Sequence, residues 1–113
     1  MRSRSIYLLL TVLLLSCAAQ GQKSFIRMGD MCYKQFDYKT AVQWYEKVTK
    51  KDSSDLHVRQ NMADSYRHLN DWVNAEHWYA MLAKDPAADP IDKMYYAEAV
   101  SYTHLTLPTI YSV

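Results

Sequence analysis

Asp37-Tyr38-Lys39-Thr40-Ala41-Val42-Gln43-Trp44-Tyr45 and Asp71-Trp72-Val73-Asn74-Ala75-Glu76-His77-Trp78-Tyr79 carry one pattern twice, 34 residues apart (37 to 71). An aspartate precedes an aromatic residue, an alanine follows, then a Trp-aromatic pair. Self-similarity at a fixed period of this size is the signature of a repeat architecture. Within the first copy Ala41, Val42, Tyr45 and Val48 recur at helical spacing and Trp44 borders the stripe. In the second, Ala75, Trp78, Tyr79 and Leu82 repeat it. Each copy therefore predicts one amphipathic helix with a single apolar face. Asp37 and Asp71 stand just before these helices, where a carboxylate can accept from free N–H groups.

The same shift works upstream. Met28, Gly29 and Asp30 fall on Met62, Ala63 and Asp64, and a third register opens at Tyr96-Ala97. The small residues Gly29, Ala63 and Ala97 are thus evenly spaced, and Gly29, Ala41, Ala63 and Ala75 mark sites where helices approach closely. Helices are expected over about residues 23–36, 38–51, 56–70 and 72–84, with a fifth beginning near Pro90. Asp85-Pro86 and Asp89-Pro90 punctuate the exit from the second copy, and Asp89-Pro90 reads as a cap followed by proline at the first helical position.

These residues resemble the tetratricopeptide-repeat (TPR) motif. Its first helix carries an aromatic, a Leu, a small residue and a Tyr; its second carries Ala, an aromatic and a further small residue, with Pro after it. Repeat one matches through Phe25, Met28, Gly29, Ala41, Tyr45 and Val48, with Cys32 at the Tyr position. Repeat two matches through Met62, Ala63, Tyr66, Ala75, Tyr79, Leu82 and Pro86. The chain departs from the pattern with Cys32 for Tyr, Phe36 for Gly, Arg59 for the aromatic and Ser53 for Pro. The resemblance implies an all-α fold of antiparallel helix-turn-helix units. Repeat one covers 22–55, repeat two 56–89, and 90–99 starts a third.

Residues 1–19 read as a secretory leader. Arg2 and Arg4 precede an apolar run from Ile6 to Leu15, and Ser16-Cys17-Ala18-Ala19 follows. About ten apolar residues fall short of the ~20 that span a bilayer as a helix. Two processing routes stay open. Leu14-Leu15-Ser16-Cys17 resembles a bacterial lipobox, which would place a lipid on Cys17, whereas ordinary cleavage would follow Ala18, Ala19 or a residue soon after. At the other end the pattern breaks at Val100. Val100-Ser101-Tyr102-Thr103-His104-Leu105-Thr106-Leu107-Pro108-Thr109 resembles one reading frame of a transposon-end sequencing adapter. Residues 100–113 are therefore expected to be a non-native tail that adds little to the fold.

Composition narrows the function. Lys plus Arg number 13 against 12 Asp plus Glu, which does not mark a nucleic-acid binder. With Cys17 in the leader, Cys32 is expected to stay a free, small hydrophobe. No phosphate loop, nucleophile motif or acid/base pair is visible, so no catalytic residue is named and no cofactor is expected. Asp64 and His68 stand four apart, but no third ligand converges locally, so no metal is expected. Trp44 and Trp78, at equivalent positions, are expected to pack between second helices. The resemblance implies that first helices line a concave, partner-binding face. Transferring the family's lining positions gives Ile26, Asp30, Tyr33 and Lys34, then Gln60, Asp64, Arg67 and His68. A leader followed at once by repeats is similar to the start of exported bacterial envelope proteins with a C-terminal OmpA-like, peptidoglycan-associated domain. The resemblance implies a non-enzymatic scaffold in the periplasm or at the outer membrane, binding other envelope proteins or peptides. Membrane association would come only from a lipid on Cys17 or from further domains. The alternatives are an accessory domain of an exported hydrolase and a glycan-binding uptake lipoprotein.

Overall fold

The computed structural model describes residues 2–104, with side chains given for 3–14 and 21–104. Five helices follow in order: α1 (Arg2–Lys34), α2 (Tyr38–Thr49), α3 (Leu56–His68), α4 (Trp72–Ala83) and α5 (Pro90–His104). Among the described residues there is no strand. Each helix packs chiefly on the next in sequence. Connections of three to six residues turn the chain straight back, so neighbours run antiparallel.

The turns explain the boundaries. Phe36 (φ 62°) and Asn70 (φ 58°) take the left-handed conformation, 34 residues apart. Around each, two backbone bonds close the end of a first helix. Asp37 N donates to Cys32 O (2.9 Å) and Phe36 N to Tyr33 O (3.0 Å); Asp71 N donates to Tyr66 O (2.9 Å) and Asn70 N to Arg67 O (3.1 Å). This is the Schellman closure of a helix C-terminus. The aspartate that completes each closure then caps the next helix. Asp37 Oδ1 accepts from Thr40 N and Asp71 Oδ1 from Asn74 N, both at 3.3 Å. Asp55 does the same for α3 through Val58 N (3.3 Å), and Asp89 Oδ1 accepts from Ile91 N (3.0 Å). The left-handed residue stops the first helices two residues before the expected 36 and 70.

The core runs along the inner faces. Tyr45, Val48, Val58, Met62, Tyr79 and Leu82 are sealed, and Ala41, Ala63, Ala75 and Gly29 are buried among them. A Cβ built on Gly29 would lie 2.6 Å from Tyr45 Cε1, so this backbone meets the ring directly. Among the described residues no buried side-chain nitrogen or oxygen lacks a hydrogen-bond partner. Cys32 is a free thiol, half-buried, with its pKa pushed up by burial and then by the Asp37 charge.

Several expectations need correction. The first helix does not begin near Lys23 but runs unbroken from Arg2. The stretch contains no proline, and one glycine, Gly21, costs ~1 kcal/mol, too little to break a helix of good formers. The side chains of residues 3–14 are all exposed on it. No helix of the described residues is long and apolar enough to cross a membrane. Met28 is 37% exposed although its counterpart Met62 is buried, because Met62 lies between α2 and α4 while no described helix covers α1 on that side. Trp44 does not pack between second helices; it stacks on Phe25 of α1, ring centroids 5.8 Å apart, with Lys47 Nζ 4.5 Å above it. Pro86 is exposed in the α4–α5 connection. The first residues of the expected non-native tail do enter the fold. α5 continues to His104, Tyr102 stacks on Trp72 at 4.2 Å, and Thr103 Oγ1 donates to Trp72 O (3.3 Å). Residues 105–113 lie outside the described residues, and so does the side chain of Cys17, the candidate lipid site.

Candidate functional site

Gln60, Asp64 and Arg67 stand at i, i+4 and i+7 of α3 and so share one face. That face floors an open groove of about 320 Å³. Tyr33 of α1 closes one wall, Tyr79 of α4 lies at the base, and Asp89 with the first turns of α5 forms the other wall.

Asp64 is the hub. Its Oδ2 accepts from the Tyr33 hydroxyl (2.5 Å), its Oδ1 from Arg67 NH2 (2.5 Å), and His68 Nε2 stands 3.4 Å away. Arg67 also donates through Nε to the Tyr79 hydroxyl (3.3 Å), and its guanidinium carbon lies 4.1 Å from the Tyr95 ring centroid. Burial works against the charged guanidinium, but the bonds to Asp64 and Tyr79 outweigh it and hold Arg67 protonated. Asp30, the 34-residue counterpart of Asp64, is a second hub. It accepts from the Tyr45 hydroxyl (2.5 Å), His57 Nε2 (2.9 Å) and Asn61 Nδ2 (3.4 Å). Burial, then the carboxylate acceptors, raises the phenols of Tyr33 and Tyr45 above the ordinary tyrosine range. At the far wall Gln60 Nε2 donates to Asp92 Oδ2 (3.2 Å).

The groove gathers Tyr33, Gln60, Asp64 and Arg67 of the eight candidate partner-binding residues. Asp30 stands beside it, joined through Asn61. His68 is exposed and stacks on Tyr38, centroids 4.3 Å apart. Ile26 packs against the core and Lys34 is exposed; neither lines the groove. Among the described residues no group of three or more His, Cys, Asp or Glu is gathered to hold a metal ion.

Sequence reasoning missed Asn61, Asp89, Ile91, Asp92 and Tyr95, and treated Tyr79 as structural only. One signal was present for Asp92. The period of 34 places it in the register of Val58 (58 to 92), a core position. A carboxylate where a repeat buries valine is the kind of exception that marks a site. The others carry no such mark, because they meet only once the helices are packed together.

The class these features define is an all-helical chain of sequentially packed helices with a polar, partly buried groove along its first helices. Comparison with protein-family models, curated proteins and solved structures found no match.

Proposed function

We propose that this chain is a tetratricopeptide-type scaffold of an exported protein, that it binds a protein or peptide segment along the groove, and that it is not an enzyme. The observation that carries this reading is the recurrence of one structural unit at 34 residues. Phe36 and Asn70 take the same left-handed turn, Asp37 and Asp71 the same cap, and Tyr45 and Tyr79 the same buried place. Stacking such units brings first helices side by side and leaves an extended surface, the usual working face of helical repeats. The polar residues of the groove are held by one another, so the surface is preorganised for a partner. The leader pattern of residues 1–19 supports export to the periplasm or outer membrane, and the resemblance to OmpA-like, peptidoglycan-associated proteins supports a place in an envelope assembly. Lipid on Cys17 or cleavage after Ala18 or Ala19 decides whether the chain itself is anchored.

The test is carried out in bacteria expressing the full chain. Fractionation with mass measurement of the processed N-terminus reads the export claim; a cytoplasmic chain retaining Met1 defeats it. A photo-crosslinker at Gln60, in the groove, is expected to trap a protein partner, while one at exposed Gln43 of α2 traps none. Equal labelling from both positions sinks the scaffold reading.

A further inference from the structure

Asp92 is 94% removed from solvent (6% exposed), at a register position its repeat counterpart fills with Val58. Burying a carboxylate is costly unless it is paired. Its Oδ2 accepts from Gln60, yet among the described residues its Oδ1 takes no hydrogen bond. Among the described residues no fully sealed side-chain nitrogen or oxygen lacks a partner, so this oxygen keeps some exposure, and Asp92 lines the groove. The surroundings match it in sign. Three carboxylates, Asp64, Asp89 and Asp92, face the groove against the single guanidinium of Arg67, which Asp64 and Tyr79 already occupy. The amide nitrogen of Gln60 is spent on Asp92 and that of Asn61 on Asp30 and Tyr45, so each leaves its carbonyl oxygen to a ligand.

We propose that the groove receives a lysine or arginine side chain of a basic peptide segment, with Asp92 Oδ1 as its principal partner. This rests on the scaffold reading above and adds the chemistry of the partner. A cation entering here meets a preplaced acceptor on a rigid helix, with the Gln60 and Asn61 carbonyls to complete its donors, and charge-assisted bonds of this kind are the strong ones. An acidic segment would meet three like charges and only a committed cation. Attraction from the surrounding carboxylates also speeds encounter, more so at low salt.

The probes are three fluorescein-labelled octapeptides of glycine and serine carrying, respectively, two lysines, two glutamates or two further serines. Binding to the full chain is followed by anisotropy at low ionic strength, with hydrogen exchange to locate it. The lysine peptide is expected to bind and to protect α3 and α5. Asp92→Asn keeps the shape and the Gln60 contact and should weaken that binding about tenfold with unchanged helix content. Asp52→Asn removes the same charge from an exposed turn and should leave it within about twofold. Equal losses in the two variants would overturn the proposal, reducing it to general surface charge. Glutamate or serine peptides that bind as well and protect the same helices would leave a peptide groove without the cation preference. If no peptide binds and the Gln60 crosslinker is also silent, the scaffold reading fails with it.

Discussion

Phe36 occupies a position that its helix end assigns to glycine. The ring is 77% exposed, its φ is 62°, and its one aromatic contact is an edge-on approach to Tyr38 at 6.4 Å. A bulky side chain in the left-handed region costs ~1–2 kcal/mol, and little is recovered from packing. Phe36→Gly is therefore expected to raise stability by about 1 kcal/mol in urea denaturation, less what the freer unfolded chain takes back. Asn70→Gly, where the resident side chain tolerates the conformation, should change it by only a few tenths. Gly29 is the opposite case. Alanine would gain ~1 kcal/mol of helix propensity, but its Cβ would meet Tyr45, whose ring is fixed by the hydroxyl's bond to Asp30 and by Asn61. Gly29→Ala is expected to lose about 1–2 kcal/mol net. A midpoint that rises would mean that Tyr45 can move, and with it the Asp30 hub.

At the scale of the element, each first helix and the second helix after it share one aspartate. Asp71 closes α3 through its N–H and opens α4 through its carboxylate. Only the second role depends on the side chain. Asp71→Ala should cost about 1 kcal/mol, and Asp71→Asn, which can still accept from Asn74 N, should recover most of it. Equal losses in both would show that the charge, rather than the cap, was acting. The helices also show where sequence reading stops. Their starts were legible because aspartate caps are local chemistry. The continuity of α1 back to Arg2 was not, since the change in hydrophobicity after Leu15 comes without a breaker. Nor was the stack of Tyr102 on Trp72 that supports the end of α5, a contact between residues far apart in sequence.

For the whole molecule, four phenols are tied into the interior. Tyr33, Tyr45, Tyr66 and Tyr79 all have pKa values raised above the ordinary 10.0, foremost by burial, with Asp64, Asp30 and Glu46 as acceptors for the first three. The folded state holds these protons more tightly than the unfolded one. Their contribution is therefore fully present below about pH 10 and lost as pH climbs through the folded values. In an alkaline titration these four should ionise together with the loss of helical circular dichroism. Ionisation of these four with the helices intact would contradict the structure. The exposed N-terminal segment gives a second expectation. Because the side chains of residues 3–14 are exposed, a chain beginning at Leu15 should unfold within about 0.5 kcal/mol of the full one. A larger loss would mean that this segment packs on the rest of the chain.

The sequence by itself determined the period of 34, the helical class, the small residues at the crossings and the aspartates at the turns. Each of these follows from spacing or from a residue's own backbone chemistry, which act over a few positions. Tertiary structure alone decided that Tyr33 reaches Asp64 across 31 residues, that Ile26 turns to the core while Tyr95 joins Arg67, and that Asp92 stands buried opposite Gln60. These pairings depend on how α1, α3 and α5 are set against one another. That setting is fixed by the summed packing of the whole core, which no short window of sequence contains.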